Sequence, residues 1–303
     1  MTDLTSSSQP AIPSAPDWGI DRARVLARAP HAVTACTLEI VEQTASTNSD
    51  LMARVKAMPR ESVPPGIQAV RVAYLQTAGR GRQGRVWHAA PGHTLMFSLA
   101  CVLPRTLSGL AGLSLAVGAA LVEGLRTLPL DDRSRIALKW PNDVLLDGGK
   151  LAGILIETAW STPAACAVVI GAGINVRHDE ALLAHLAASA ANVPAQARAT
   201  PPAALSQALP DANLTDTLGA VLEALAAMLA RFGETGFAPF RGDWHACHAY
   251  ADRDVVLLEH GKEVLRGRAL GVDEIGQLLV ATADGVQAVA TGDVSLRLAP
   301  STP

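Results

Sequence analysis

Lys139-Trp140-Pro141-Asn142-Asp143 places a lysine and a carboxylate on either side of a proline-stiffened turn, and Lys150-Leu151-Ala152-Gly153 follows shortly after. The chain has four lysines (Lys56, Lys139, Lys150, Lys262) against 21 arginines, so arginine is its ordinary surface base. Two of the four within twelve positions hint at a chemical need. A lysine in a polar pocket neutralises phosphate charge or stabilises an oxyanion, and Gly153 lets a ligand approach the backbone. Lys150 reads as functional. Lys139 with Asp143 reads either as catalytic machinery or as a structural ion pair, and Trp140 reads as core.

A second segment, Gly79-Arg80-Gly81-Arg82-Gln83-Gly84-Arg85, contains G-x-G-x-x-G. With 25 glycines in 303 residues, chance supplies roughly 0.2 such matches, so the bare pattern is weak. A dinucleotide fingerprint must open a helix, whereas this loop runs through Val86-Trp87 and Pro91-Gly92 towards another strand. Guanidinium forks among exposed backbone N–H groups suit a phosphate. Taken alone, the loop reads as a surface hairpin. Nucleic-acid contact is a third reading, weakened by a net charge of -3.

Elements that could position these residues follow from periodicity. Strands are expected over 37–41, 69–75, 94–103, 135–140, 144–146, 151–157 and 165–176. Helices are expected over 21–29, from Ser46-Thr47-Asn48 through Met58, over 107–128 and over 214–232. Asp147-Gly148-Gly149 signals a hairpin. Residues 1–16 are Ser/Pro-rich and read as a disordered tail, and the Ala/Pro-rich 187–212 reads as a mobile connection. Beyond Tyr250, short strands over 255–259, 263–267, 277–281 and 285–290 suggest a small β-barrel.

Composition bounds the rest. Hydrophobic residues make up 49% and charged residues 17%, enough apolar content for a buried core. The apolar runs 113–122 and 164–174 are too short to span a membrane, so no membrane partner is expected. No secretory signal is evident, and four scattered cysteines fit a reducing, cytoplasmic setting. Trp244-His245-Ala246-Cys247-His248 lacks a second ligand cluster and reads as a helix end under the barrel rather than a metal site. His88 and His93 read as solvated, Cys101 and Cys166 as core.

Ser46-Thr47-Asn48, the run Gln76–Trp87, Lys139–Asp143, Lys150–Glu157 and Gly171-Ala172-Gly173-Ile174-Asn175 together resemble the biotin protein ligases. By chance the string Lys139–Asp143 alone is expected about 4 × 10⁻⁶ times. The resemblance implies an α+β fold: a class II aminoacyl-tRNA synthetase-like, mostly antiparallel sheet with flanking helices over 17–249, then an SH3-like barrel over 250–303. It implies ATP, Mg²⁺ and biotin as reactants, biotinyl-5′-adenylate as intermediate, and a biotin carboxyl carrier domain as acceptor and partner.

The resemblance also assigns roles. Ser46, Thr47, Asn48, Gln76, Arg80, Gly81, Arg82, Lys150 and Gly153 would bind biotin. Arg82, Arg85, Trp87, Asn142 and Asn175 would serve the nucleotide. Arg82, Lys150, Asp143 and Lys139 would be catalytic, with Asp143 orienting or deprotonating the acceptor lysine. No protein-held metal is expected. Only about 36 residues precede the first catalytic strand, so the short monofunctional class without operator binding is expected. A homodimer stays open, as does a lipoate–protein ligase of the same fold.

Overall fold

A computed structural model of the chain describes residues 18–33, 36–60, 63–191, 199–259, 261–290 and 294–299. The tail expected over 1–16 lies outside the described residues.

The large sheet contains β1 (Thr37–Thr44), β2 (Gly66–Gln76), β3 (Thr94–Leu103), β4 (Ile136–Lys139), β5 (Asp143–Leu146), β6 (Gly149–Ser161) and β7 (Cys166–Asn175). Its order is β1-β2-β3-β7-β6-β5-β4, and only β1 and β2 run parallel. This is the mixed, mostly antiparallel sheet expected. The β5–β6 connection is the anticipated hairpin: Asp147 (φ 49°) and Gly148 (φ 80°) both take the left-handed conformation a tight right-twisted hairpin needs. β3 and β7 are buried along almost their whole length, as central strands covered on both faces must be.

The helices are α1 (Arg22–Arg28), α2 (Pro30–Val33), α3 (Thr47–Lys56), α4 (Leu113–Arg126), α5 (Glu180–Ala191), α6 (Leu214–Thr235) and α7 (Arg241–Ala246). α4 and α6 pack on each other and on one sheet face, with α1 and α2 against α6. α3 lies on the opposite face, where Leu51 and Val55 meet Ala69, Ala100, Val102, Ala167 and Val169. The segment Ser108–Arg126 is long and apolar enough to cross a membrane by composition, more than the short run expected. In the fold it is a core element, with ten residues of α4 buried.

Two expectations are corrected here. The helix expected from residue 107 starts at Leu113, because Gly112 takes φ 77° directly against the Phe237 ring. The connection expected to be mobile over 187–212 is largely built. Residues 187–191 complete α5, Pro201 and Ala203 bond the main chain of Lys150, and Leu205 is fully buried. Residues 192–198 of it lie outside the described residues. Alanine and proline packed against a sheet edge carry no periodic signal, which is why this part read as a linker.

The second sheet holds β8 (Asp254–Glu259), β9 (Lys262–Val272), β10 (Leu278–Thr282), β11 (Gly285–Val289) and β12 (Val294–Leu298), in the order β11-β10-β9-β8-β12. It is antiparallel throughout, but β11 and β12 do not pair, so the expected barrel is open among the described residues. Four of the five residues of β11 are exposed and none is buried, so nothing apolar draws that edge inward. The sheet is fixed to the larger one by specific bonds, one direct and two that pass through α7. Trp140 Nε1–H donates to Gly276 O (3.1 Å), and Val272 N–H donates to His245 Nε2 (2.8 Å). Leu138 N–H donates to Cys247 O (2.6 Å). Trp244 is buried at this junction, as its sequence suggested.

His248 lies in the same junction, its ring 4.5 Å from that of Trp244, with neither nitrogen hydrogen-bonded among the described residues. Burial, reinforced by neighbouring His245, lowers its pKa from 6.5 to about 4. The unfolded chain therefore binds the extra proton first, and stability falls as pH drops from about 6.5 to about 4. The loss is of order 3 kcal/mol. Thermal melts across that range should show a falling midpoint, flattened in His248→Phe, which keeps the stack and removes the titration.

Candidate active site

The face of the large sheet that α3 covers is filled for only part of its length. Alternation along a strand sends residues i and i+2 to one side. Ala167 and Val169 on β7, and Ala100 and Val102 on β3, take the weight of α3. Further along the same rows stand Ser98, Gly171 and Gly173, with Gly153 opposite Gly173 on β6. Small residues and missing side chains leave a cavity of about 800 Å³. The five motifs singled out in the sequence converge on it.

One end of the cavity is polar and neutral. Ser46 caps α3, accepting from Ser49 N–H, and so delivers Thr47 and Asn48 to the sheet. Thr47 N–H donates to Gln76 Oε1 (2.8 Å), Thr47 Oγ1 lies 2.7 Å from Ser98 Oγ, and Ser98 Oγ–H donates to Asn48 Oδ1 (2.5 Å). Asn48 Nδ2–H donates to Glu157 Oε2 (2.8 Å). A Cβ on Gly171 would stand 2.3 Å from Asn48 Oδ1, so this close approach requires glycine.

The middle is a flat apolar seat. Trp87, carried by the loop after β2, lies on the bare backbone of Gly153 and Gly173. A Cβ on Gly173 would stand 2.4 Å from its ring, and Lys150 Nζ sits 5.4 Å from that ring's centre. The glycine–arginine loop leading to Trp87 is closed on itself by Gly81 N–H donating to Arg85 O and Trp87 N–H donating to Gly79 O. Arg80 reaches Ser49 Oγ (3.1 Å) and Glu157 (3.4 Å).

The other end is cationic: Arg82, Arg85, Lys139, Lys150 and Arg297 line it together. Lys150 Nζ lies 2.7 Å from Asp143 Oδ1, while Lys139 Nζ lies 3.8 Å from Asp143 Oδ2 and donates to Thr200 Oγ1 at 2.7 Å. Asp143 therefore serves both lysines and is nearer the second, which the sequence did not reveal. Lys139 is 3% exposed. Burial lowers its ammonium to about 7, against the opposing pull of Asp143. Burial likewise lowers the Arg297 guanidinium, helped by Arg85.

Asn142 and Asn175 line the cavity with amide nitrogens committed to the main chain, to Ile154 O for Asn142 and to Lys150 O and Ala203 O for Asn175. Asn142 Oδ1 also accepts from Arg82 (3.4 Å). Both shape the rim beside the cations. α5 contributes Leu182, Leu183 and Leu186 to the wall, and the ring of His185 meets that of His88 at 5.5 Å. His93, expected to be solvated, lies 3.4 Å from Asp179, which caps α5.

Four residues outside the expected set belong to this arrangement. Ser98 was legible as a polar residue within the apolar run Thr94–Leu103. Glu157 ended a recognised motif without a role. Thr200 and Arg297 gave no signal, since one lies in an Ala/Pro-rich run and the other on an unanticipated strand, β12.

The comparisons with known proteins agree with this geometry. Residues 43–175 match the biotin/lipoate A/B protein ligase family and residues 252–297 the biotin protein ligase C-terminal domain. A biotin--[acetyl-CoA-carboxylase] ligase of Paracoccus denitrificans is 32% identical over 260 residues, covering 84% of this chain and 98% of the relative. The bifunctional ligase/repressor BirA of Escherichia coli K12 is 34% identical over 232 residues, 75% of this chain and 66% of the relative. The chain thus spans slightly under two-thirds of that relative's length. The structure of a biotin protein ligase from Aquifex aeolicus in complex with biotin and ATP superposes with a TM-score of 0.64 at 27% identity, covering 87% of this chain and 99% of that one. By these matches over residues 43–175 and 252–297, and by the relative covered almost end to end, the chain belongs to the biotin protein ligase family.

Proposed function

We infer that this chain joins biotin to ATP and passes the biotinyl group to a lysine of a biotin carboxyl carrier domain. The observation that carries this is the polarity of a single cavity, a neutral hydrogen-bonding end and a cationic end joined by an apolar seat. Biotin has that same sequence of features: a polar ring, an apolar chain and a carboxylate that must meet a triphosphate.

In the first step a biotin carboxylate oxygen bonds to the α-phosphorus of ATP and the bond to pyrophosphate breaks. Two anions must approach, and Lys150 and Arg82 offset their repulsion. In the second step the neutral amine of the acceptor lysine attacks the carbonyl of the mixed anhydride, and AMP leaves with the bonding pair. The amine's proton passes to Asp143. No enzyme nucleophile is required. The loop over 79–87 and α5 close the cavity against water, protecting the anhydride from hydrolysis.

The described residues around the cavity offer no set of free carboxylates for a resident metal. The carboxylates lining the cavity are Asp143 and Asp179, of which one is paired with lysines and the other with His93 and the start of α5. Magnesium accordingly enters as part of the substrate Mg-ATP. The main competing substrate is lipoate, since the matched family includes lipoate ligases. The C-terminal domain match and the names of the relatives favour biotin.

Pyrophosphate release from Mg-ATP, with biotin and lipoate offered in parallel, separates the two readings. Release should require biotin, with label appearing on the carrier lysine. Dependence on lipoate would move the assignment, and silence with both would remove it. Lys150→Ala should slow adenylate formation by about 10²–10³, whereas Arg82→Ala should leave synthesis measurable and let free biotinyl-adenylate appear in the medium. Unchanged rates or retention would strike that residue from its role. Because Lys139 is cationic below about 7 and neutral above, kcat/KM for ATP should fall as pH rises through that value. Lys139→Met should lack this limb.

A further inference from the structure

Glu157 is the next residue after Gly153 and Leu155 on the same face of β6, opposite Val169. It does not line the cavity. It does meet two residues that do, accepting from Asn48 Nδ2 at 2.8 Å and from Arg80 at 3.4 Å.

The hydrogen-bond chain beyond Asn48 has a direction, set chiefly by Glu157 at 2.8 Å and seconded by the carbonyl of Leu155, which accepts from the same Nδ2 at 3.4 Å. A carboxylate accepts and does not donate. Asn48 must therefore turn its NH₂ towards Glu157, which leaves Oδ1 facing Ser98. Ser98 must spend its hydroxyl proton on that oxygen (2.5 Å) and so can only accept from Thr47 Oγ1 (2.7 Å), whose single proton also faces Gln76 Oε1 at 3.2 Å. Gln76 receives the Thr47 backbone N–H on Oε1 (2.8 Å), leaving its NH₂ to serve as a donor at the cavity. Asn48, Ser98 and Thr47 are all nearly inaccessible to solvent, so water does not stand in for a lost partner. Reversing the first link reverses the next two.

We propose that Glu157 is a positioning residue that fixes the donor–acceptor sense of the Asn48–Ser98–Thr47 chain, and with it how the pocket reads a ring bearing N–H donors and one carbonyl acceptor. This rests on the biotin reading above. Arg80 ties the same carboxylate to the glycine–arginine loop, so ring recognition and loop position share one anchor.

Glu157→Gln is nearly isosteric but offers a donor as readily as an acceptor, which leaves Asn48 oriented only by the longer bond to Leu155 O. Biotin affinity, measured by calorimetry without ATP, should fall roughly tenfold or more, the size of one misdirected buried hydrogen bond. The melting temperature should barely move. The decisive readout is the ratio of affinities for biotin and 2-iminobiotin, whose ring replaces the carbonyl oxygen with an imine nitrogen. That ratio should shrink in Glu157→Gln and return towards the parent value in Glu157→Asp.

Ser98→Ala cuts the chain without touching Glu157. It should shrink the ratio equally, and adding Glu157→Gln to it should change nothing further. An unchanged ratio in a folded Glu157→Gln protein overturns the proposal. Should that variant not fold, additive effects of Ser98→Ala and Glu157→Ala on the ratio overturn it instead. Failure of the unaltered protein to bind biotin overturns the parent reading, a result distinct from both.

Discussion

The site depends on backbone left bare. Gly153 and Gly173 face each other across β6 and β7, and the indole of Trp87 lies where their side chains would be. Any larger residue at 173 would lift the tryptophan, and with it the loop that carries Arg80, Arg82 and Arg85. The cavity then loses its middle, and the neutral and cationic ends cease to be parts of one space. Strand interiors ordinarily avoid glycine because it adds no packing and costs conformational entropy. Here that cost is offset by the unbroken core on the other face of the sheet, where α4 and α6 cover the same strands.

Trp140 shows how one residue serves both fold and site. Its ring is buried, as a core reading requires, yet its N–H reaches Gly276 in the second sheet. Lys139 and Asp143 flank that anchor, so the turn bearing them is held from both sheets. The same junction lets β12 deliver Arg297 to the cavity. The C-terminal sheet is thus a wall of the site, and its placement bears directly on the charge around the reacting groups.

Much of this was legible in residue order because the chemistry depends on short strings. Lys139–Asp143, Gly171–Asn175 and Ser46–Asn48 each sit on one turn or strand, so spacing alone carries their geometry. The near-continuous apolar run of β3 and the Asp147-Gly148 hairpin were equally local. What escaped was set by contact between distant segments. The packing of 199–205 along Lys150 and the arrival of Arg297 join residues separated by tens of positions, and the sharing of Asp143 between both lysines depends on how β5 and β6 pair. None of them alters a periodicity. The start of α4 was misplaced for the same reason, since Gly112 answers to Phe237, more than a hundred residues away.

The scarcity of lysine has a consequence for the molecule's own chemical fate. On the inferred reaction the intermediate is an acylating agent that seeks amines, and arginine does not compete for it at neutral pH. Lys139 is enclosed and Lys150 is paired with Asp143. Of the four lysines, Lys56 and Lys262 alone are open to an escaped adenylate. On the inferred reaction, a surface whose bases are mostly arginine therefore offers such an intermediate few amines on this chain.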